Sequence, residues 1–81
     1  MLEVSLSGVL RDAADGDARV TVEASTIREL FRKLGDRYPA MRHQLDGGIA
    51  VSINGQIFRD RWSEKIPADA EVFLLPRIPG G

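Results

Sequence analysis

The sequence predicts a two-layer α+β domain in which one main helix covers one face of a mixed sheet. Three observations carry this reading. Several short segments alternate apolar and polar residues with period two, the mark of half-buried strands. Residues 27–38 instead space their apolar side chains as one helical face. Between two apolar runs stands Asn54-Gly55, a strong hairpin signal.

Taken in order, Leu2, Val4 and Leu6 alternate with Glu3, Ser5 and Ser7, giving a first strand. Asp15-Gly16-Asp17 is turn chemistry, and Arg19 to Glu23 alternates again. The two strands form a hairpin with a long loop across residues 8–17. Ile27, Leu30, Phe31, Leu34 and Tyr38 then share one helical face. Thr26 followed by Glu29 is a capping box: the Thr26 hydroxyl accepts from the Glu29 N–H, and the Glu29 carboxylate reaches back. Gly35 costs about 1 kcal/mol inside a helix, which favours an end at Leu34. The phase of Tyr38 favours the longer helix, closed by Pro39, and that reading is adopted.

Gly47-Gly48 opens a third strand, Ile49 to Ile53, and Gln56-Ile57-Phe58 is a short return strand. Residues 59–64 read as a connection with room for one helical turn, and Ala68-Asp69 as a turn. Glu71-Val72-Phe73-Leu74-Leu75 is the last strand, and Pro76 blocks its extension. The domain is therefore expected over residues 1–75, with a flexible tail over 76–81 ending in Gly80-Gly81. The expected core sets Leu2, Val4, Leu6, Val20, Val22, Val51, Ile53, Val72 and Leu74 against Ile27, Leu30, Phe31 and Leu34. Alternation then puts Phe73 and Leu75 on the opposite sheet face.

Composition excludes several classes of function. The chain has 81 residues, no cysteine and one histidine, His43, so disulfides, thiolate chemistry and a histidine metal site are out of reach. A net charge of −1 is unlike the basic surface of a nucleic-acid binder. There is neither an apolar run long enough for a membrane span nor a signal-peptide pattern, so a cytoplasmic protein with no membrane partner is expected. Asp15 and Asp17 lack the remaining ligands of a calcium loop and read as turn formers.

The element order, the Asn54-Gly55 hairpin and the ending from Glu71 to Gly81 resemble the ubiquitin-like sulfur carriers. That family includes the molybdopterin synthase small subunit, the thiamine-biosynthesis carrier and a cysteine-biosynthesis carrier. The strand-proline-diglycine ending resembles the first, whereas Asn54-Gly55 with Arg61-Trp62 resembles the second. The resemblance implies a ubiquitin-like β-grasp fold, with a mixed four- to five-stranded sheet on one main helix.

It also implies tail chemistry. A ubiquitin-activating-like adenylating enzyme consumes ATP to activate the Gly81 carboxylate. A sulfur donor, a sulfurtransferase or a cysteine desulfurase, then converts it to a thiocarboxylate. An acceptor such as a molybdopterin synthase large subunit or thiazole synthase takes the sulfur. The chain would bind no cofactor and act as a protein cosubstrate. Glycine at 80 and 81 suits this, because a backbone without Cβ threads into a narrow channel. Pro76 and Pro79 favour an extended tail and reduce the ordering entropy lost on insertion. Phe73, Leu75, Arg77, Ile78 and Pro79 are the expected partner-binding residues. Arg59 and Arg61 read as solvated surface, and Trp62 as a plug at the edge of a small core. Two other readings stay open: a protein modifier joined to lysines through Gly81, and an interaction module with no tail chemistry.

Overall fold

The computed structural model describes residues 1–47 and 49–76. Strands β1 (Leu2–Ser5), β2 (Arg19–Val22), β3 (Ala50–Ile53), β4 (Gln56–Phe58) and β5 (Glu71–Leu75) form one sheet in the order β2-β1-β5-β3-β4. The first and last strands lie side by side in parallel, and every other neighbouring pair is antiparallel. Helix α2 (Ile27–Arg37) packs on one face, which completes the β-grasp arrangement.

All thirteen residues of the expected core are buried. Burial alternates along β5: Val72 and Leu74 are inside, and Glu71 and Phe73 are outside. Asn54 at φ 49° and Gly55 at φ 88° form the tight β3–β4 turn. Asn54 also locks that turn to β5, because its N–H donates to the Glu71 carbonyl and its Oδ1 accepts from the Glu71 N–H, both at 2.9 Å.

Helix α2 begins where the Thr26 hydroxyl accepts from the Glu29 N–H at 3.2 Å. The return half of the capping box differs from expectation. The Glu29 carboxylate passes the Thr26 N–H and accepts from the Ser25 N–H at 2.8 Å. The Ile27 and Arg28 N–H groups donate to the Glu64 and Trp62 carbonyls. The opening amides of the helix are thus satisfied, and they tie residues 62–64 to its start. The helix runs to Arg37, with Tyr38 as its cap, as the phase of Tyr38 requires.

Gly35 sits inside this helix for a packing reason. A Cβ there would lie 3.1 Å from Cγ of Arg42. Arg42 lies over it and donates from Nε to the Gly35 carbonyl at 3.0 Å and from Nη2 to Asp36 at 3.1 Å.

Two segments depart from the sequence reading. The loop across residues 8–17 contains a short helix, α1 (Val9–Ala13), which delivers Leu10 to the core, with Ala14 following it inside. After Tyr38, a 3-10 turn over Pro39–Met41 leads into α3 (Arg42–Asp46), and Met41 and Leu45 are buried. Gly47 therefore closes α3 rather than opening a strand, with its N–H directed at the His43 and Gln44 carbonyls. The strand itself starts at Ala50, and Gly48 lies outside the described residues. Residues 59–64 form bends and a turn with no helical turn. No helix among the described residues is long and apolar enough to cross a membrane.

Candidate functional site: the open sheet face and the base of the tail

Because α1, α2 and α3 deliver their buried side chains to a single core cluster, the other face of the sheet carries no helical cover among the described residues. Strand register assembles one row of residues across that face. Arg19 of β2 stands opposite Ser5 of β1, Ser5 beside Phe73 of β5, Phe73 opposite Ser52 of β3, and Ser52 opposite Ile57 of β4. Phe73 is 41% exposed and Ile57 57% exposed, with only the small Ser52 between them. Toward the start of β1, the same face becomes polar through Glu3, Thr21 and Glu71. An ion pair between Arg19 and Glu3, at 3.6 Å, closes its β2 side.

Leu75, the second apolar residue expected on this face, is half-buried and stands opposite Ala50. Pro76 follows at the point where the tail leaves the sheet. It is flanked by the turn after β1, in which a Cβ on Gly8 would lie 3.9 Å from Cγ of Pro76. There is room for that Cβ, but φ 57° with ψ −133° is a conformation that only glycine adopts readily. Gly8 thus allows the chain to turn from β1 into α1 beside the tail base. The sequence reading did not include it, since a single glycine after a strand has many uses. Arg77, Ile78, Pro79, Gly80 and Gly81, the remaining tail residues of the expected site, lie outside the described residues.

Trp62 occupies the place expected of it. Its ring meets Phe31 edge to face at a centroid distance of 5.2 Å, and the residue stays 36% exposed. His43 is exposed, and Asp15 takes φ 57° in the turn after α1. No group of three histidine, cysteine or acidic side chains gathers as a metal site among the described residues.

The chain matches the ThiS family from residue 4 to residue 81, nearly its whole length and through the diglycine. The chain belongs to the ThiS family of ubiquitin-like sulfur carriers. No curated protein matches it. Among solved structures, it is similar to a chain of the Amycolatopsis orientalis BexX/CysO complex, with 20% identity, 100% of both chains covered and a TM-score of 0.81. It is similar to a putative molybdopterin converting factor subunit 1 from Pyrococcus furiosus, with 17% identity, 95% of this chain and 97% of that one covered and a TM-score of 0.78. It also resembles small archaeal modifier protein 1 from Haloferax volcanii, with 28% identity, 99% and 98% coverage and a TM-score of 0.73. A shared β-grasp fold accounts for all three likenesses.

Proposed function

We propose that this protein carries sulfur on the C-terminal carboxyl of Gly81 and docks its enzymes through the Phe73 face. The carrying observation is that the family match runs unbroken from the β-grasp strands through Gly80-Gly81. A carboxylate is a poor electrophile at neutral pH, so the reaction needs activation. An adenylating partner joins the Gly81 carboxylate oxygen to the α-phosphorus of ATP, and pyrophosphate leaves. Hydrosulfide attacking the carbonyl carbon breaks the carbon–oxygen bond to AMP and leaves a thiocarboxylate directly; a donor persulfide leaves an acyl disulfide, whose S–S bond a second thiol then cleaves, releasing the thiocarboxylate and forming a disulfide on the donor. The chain is a cosubstrate in this scheme, while its partners supply nucleotide binding and catalysis. A carrier seen in complex with a second protein, as in BexX/CysO, fits such docking. A molybdopterin-type acceptor and a CysO-type pathway are both compatible with the likenesses, and the thiamine branch with the family match.

The docking part follows from physical cost. An exposed phenylalanine beside an exposed isoleucine on an uncovered sheet gives a partner apolar area to bury. Phe73 lies on the strand that leads into the tail, so a partner holding it has Gly81 eight positions further along the chain.

The test is a mass measurement. With an adenylating partner, ATP and a sulfur donor, the intact protein should gain about 16 Da, one oxygen replaced by sulfur. Adding one alanine after Gly81 should abolish that gain while leaving the melting temperature unchanged, since a terminus contributes little to stability. Normal thiolation of the extended protein without trimming would falsify the reading. The likeness to an archaeal modifier protein supports a second reading, conjugation of Gly81 to lysine amines. It predicts a ladder of heavier, amide-linked species instead of the 16 Da gain.

A further inference from the structure

The two edges of the sheet are treated differently by the rest of the fold. In β2, the pairing of Leu6 with Ala18, through a 2.8 Å bond, sets Val20 and Val22 toward β1 and turns the backbone of Thr21 outward. That outward edge is capped from α2. Arg37 donates from Nη1 to the Thr21 carbonyl at 3.0 Å, and Lys33 donates from Nζ to the Glu23 carbonyl. Long cations laid over an edge are a standard defence against strand addition.

Edge β4 has no such cover among the described residues. The tight turn at Asn54-Gly55 pairs Gln56 with Ile53 and Phe58 with Val51 through the ladder, so the N–H and carbonyl of Ile57 point away from the sheet. No side chain among the described residues donates to or accepts from them. Beside this edge runs an open groove of about 530 Å3, lined by Gln56, Ile57, Phe58, Arg59, Arg61 and Glu64. Neither arginine has an ion-pair partner among the described residues. The lining holds two guanidinium groups and one half-buried carboxylate, Glu64, so it carries a net positive charge.

We infer that the β4 edge receives an extended acidic segment of a partner protein as a sixth strand. The incoming backbone bonds to the N–H and carbonyl of Ile57, and its carboxylates take Arg59 and Arg61. One outward residue offers too few backbone bonds to hold a strand alone, so the two cations decide the occupant. A second copy of this chain would bring Gln56-Ile57-Phe58-Arg59 to the same edge, adding cations where carboxylates are needed. An acidic strand satisfies both requirements. Ile57 lends its side chain to the Phe73 face, whereas this inference uses only its backbone N–H and carbonyl and no part of the tail, so it stands or falls apart from the sulfur reading.

The test is an amide NMR titration of the intact protein with an acetylated peptide of alternating valine and glutamate. Its valine–lysine counterpart serves as control. The expected result is shifts centred on Gly55, Ile57 and Arg59, with slowed exchange of the Ile57 amide, for the glutamate peptide only. Arg59→Glu with Arg61→Glu should weaken binding at least tenfold, roughly the loss of one charge-assisted contact. Ile57→Pro removes the outward N–H while sparing the ladder bonds of Gln56 and Phe58, and should abolish binding where Ile57→Ala does not. Should the proline variant unfold, the arginine pair and the Ile57 exchange rate decide the matter. Absent binding, equal binding of the lysine peptide, shifts centred on Phe73 or β2, or a peptide-free dimer protecting the Ile57 amide would each overturn the inference.

Discussion

The two faces of this sheet share their strands and backbone bonds, yet they differ in what their residues are for. Toward α2, Val4, Val72 and Leu74 are almost fully buried and make one core with Leu30 and Leu34. On the opposite face, Ser5, Phe73 and Ser52 alternate with such buried residues and form a row across β1, β5 and β3. Period-two alternation thus separates folding from recognition within single strands. One residue's shift in register would exchange them.

That contrast is sharpest at β5, where neighbouring substitutions should part company. Leu74→Ala leaves a cavity in a packed core and should cost about 2–5 kcal/mol in denaturant unfolding. Phe73→Ala should change stability little, because Phe73 is 41% exposed, but should weaken binding to an adenylating or acceptor enzyme by about tenfold or more, as expected for an apolar anchor. Equal stability losses at the two positions would erase the distinction between the faces. Unchanged affinity of the Phe73 variant would remove the open face from the docking site.

A smaller effect is expected at the rim of the covered face. Trp62 lays its ring edge to face against Phe31, and its carbonyl accepts from the Arg28 N–H at 2.9 Å. Trp62→Ala keeps that backbone bond and loses the ring, so a loss of about 1–2 kcal/mol is expected from the aromatic pair and the uncovered area. If Trp62 instead anchors a partner, the variant would keep its stability and lose affinity. Measuring both on one sample separates the readings.

What the sequence disclosed follows from how long each pattern persists. Strands and α2 were legible because their periods repeat over several residues, and the Asn54-Gly55 turn because positive φ at both positions demands those residue types. Helices α1 and α3 escape a periodicity reading because each spans five residues and buries one of them, Leu10 or Leu45, with a second buried residue only at its cap, Ala14 or Met41. Gly47 ends a helix although a glycine pair before an apolar run equally signals a strand start. The unequal protection of the two sheet edges depends on Arg37 reaching Thr21 across a separation of 16 positions, which no local pattern encodes. At the candidate site, the identity of Gly80 and Gly81 was readable directly. The row linking Phe73 to Ile57 appeared only once β3 was placed between β5 and β4.

The smallest expected effect lies at the start of α2 and concerns pH. Glu29 is held below its ordinary value of 4.5, chiefly because its carboxylate accepts from the Ser25 N–H. Lys33, the Ser25 hydroxyl and Arg32 push the same way, and desolvation opposes them. A carboxylate whose folded value is depressed binds its proton more readily in the unfolded chain. Its stabilisation is therefore complete above 4.5 and is lost as pH falls through the lower folded value. Glu29→Gln keeps a carbonyl acceptor for Ser25 and removes the titration. Its melting temperature should fall less steeply than that of the native protein below pH 4.5, while the two slopes agree near neutrality. Thr26→Ala provides the contrast, because an uncharged cap should cost about 1 kcal/mol at every pH. Parallel acid limbs for the native protein and Glu29→Gln would show that the Ser25 bond does not distinguish the charged carboxylate from the neutral one. The helix start would then owe nothing to the charge of Glu29, and the Ser25 bond would act as a neutral cap beside that of Thr26.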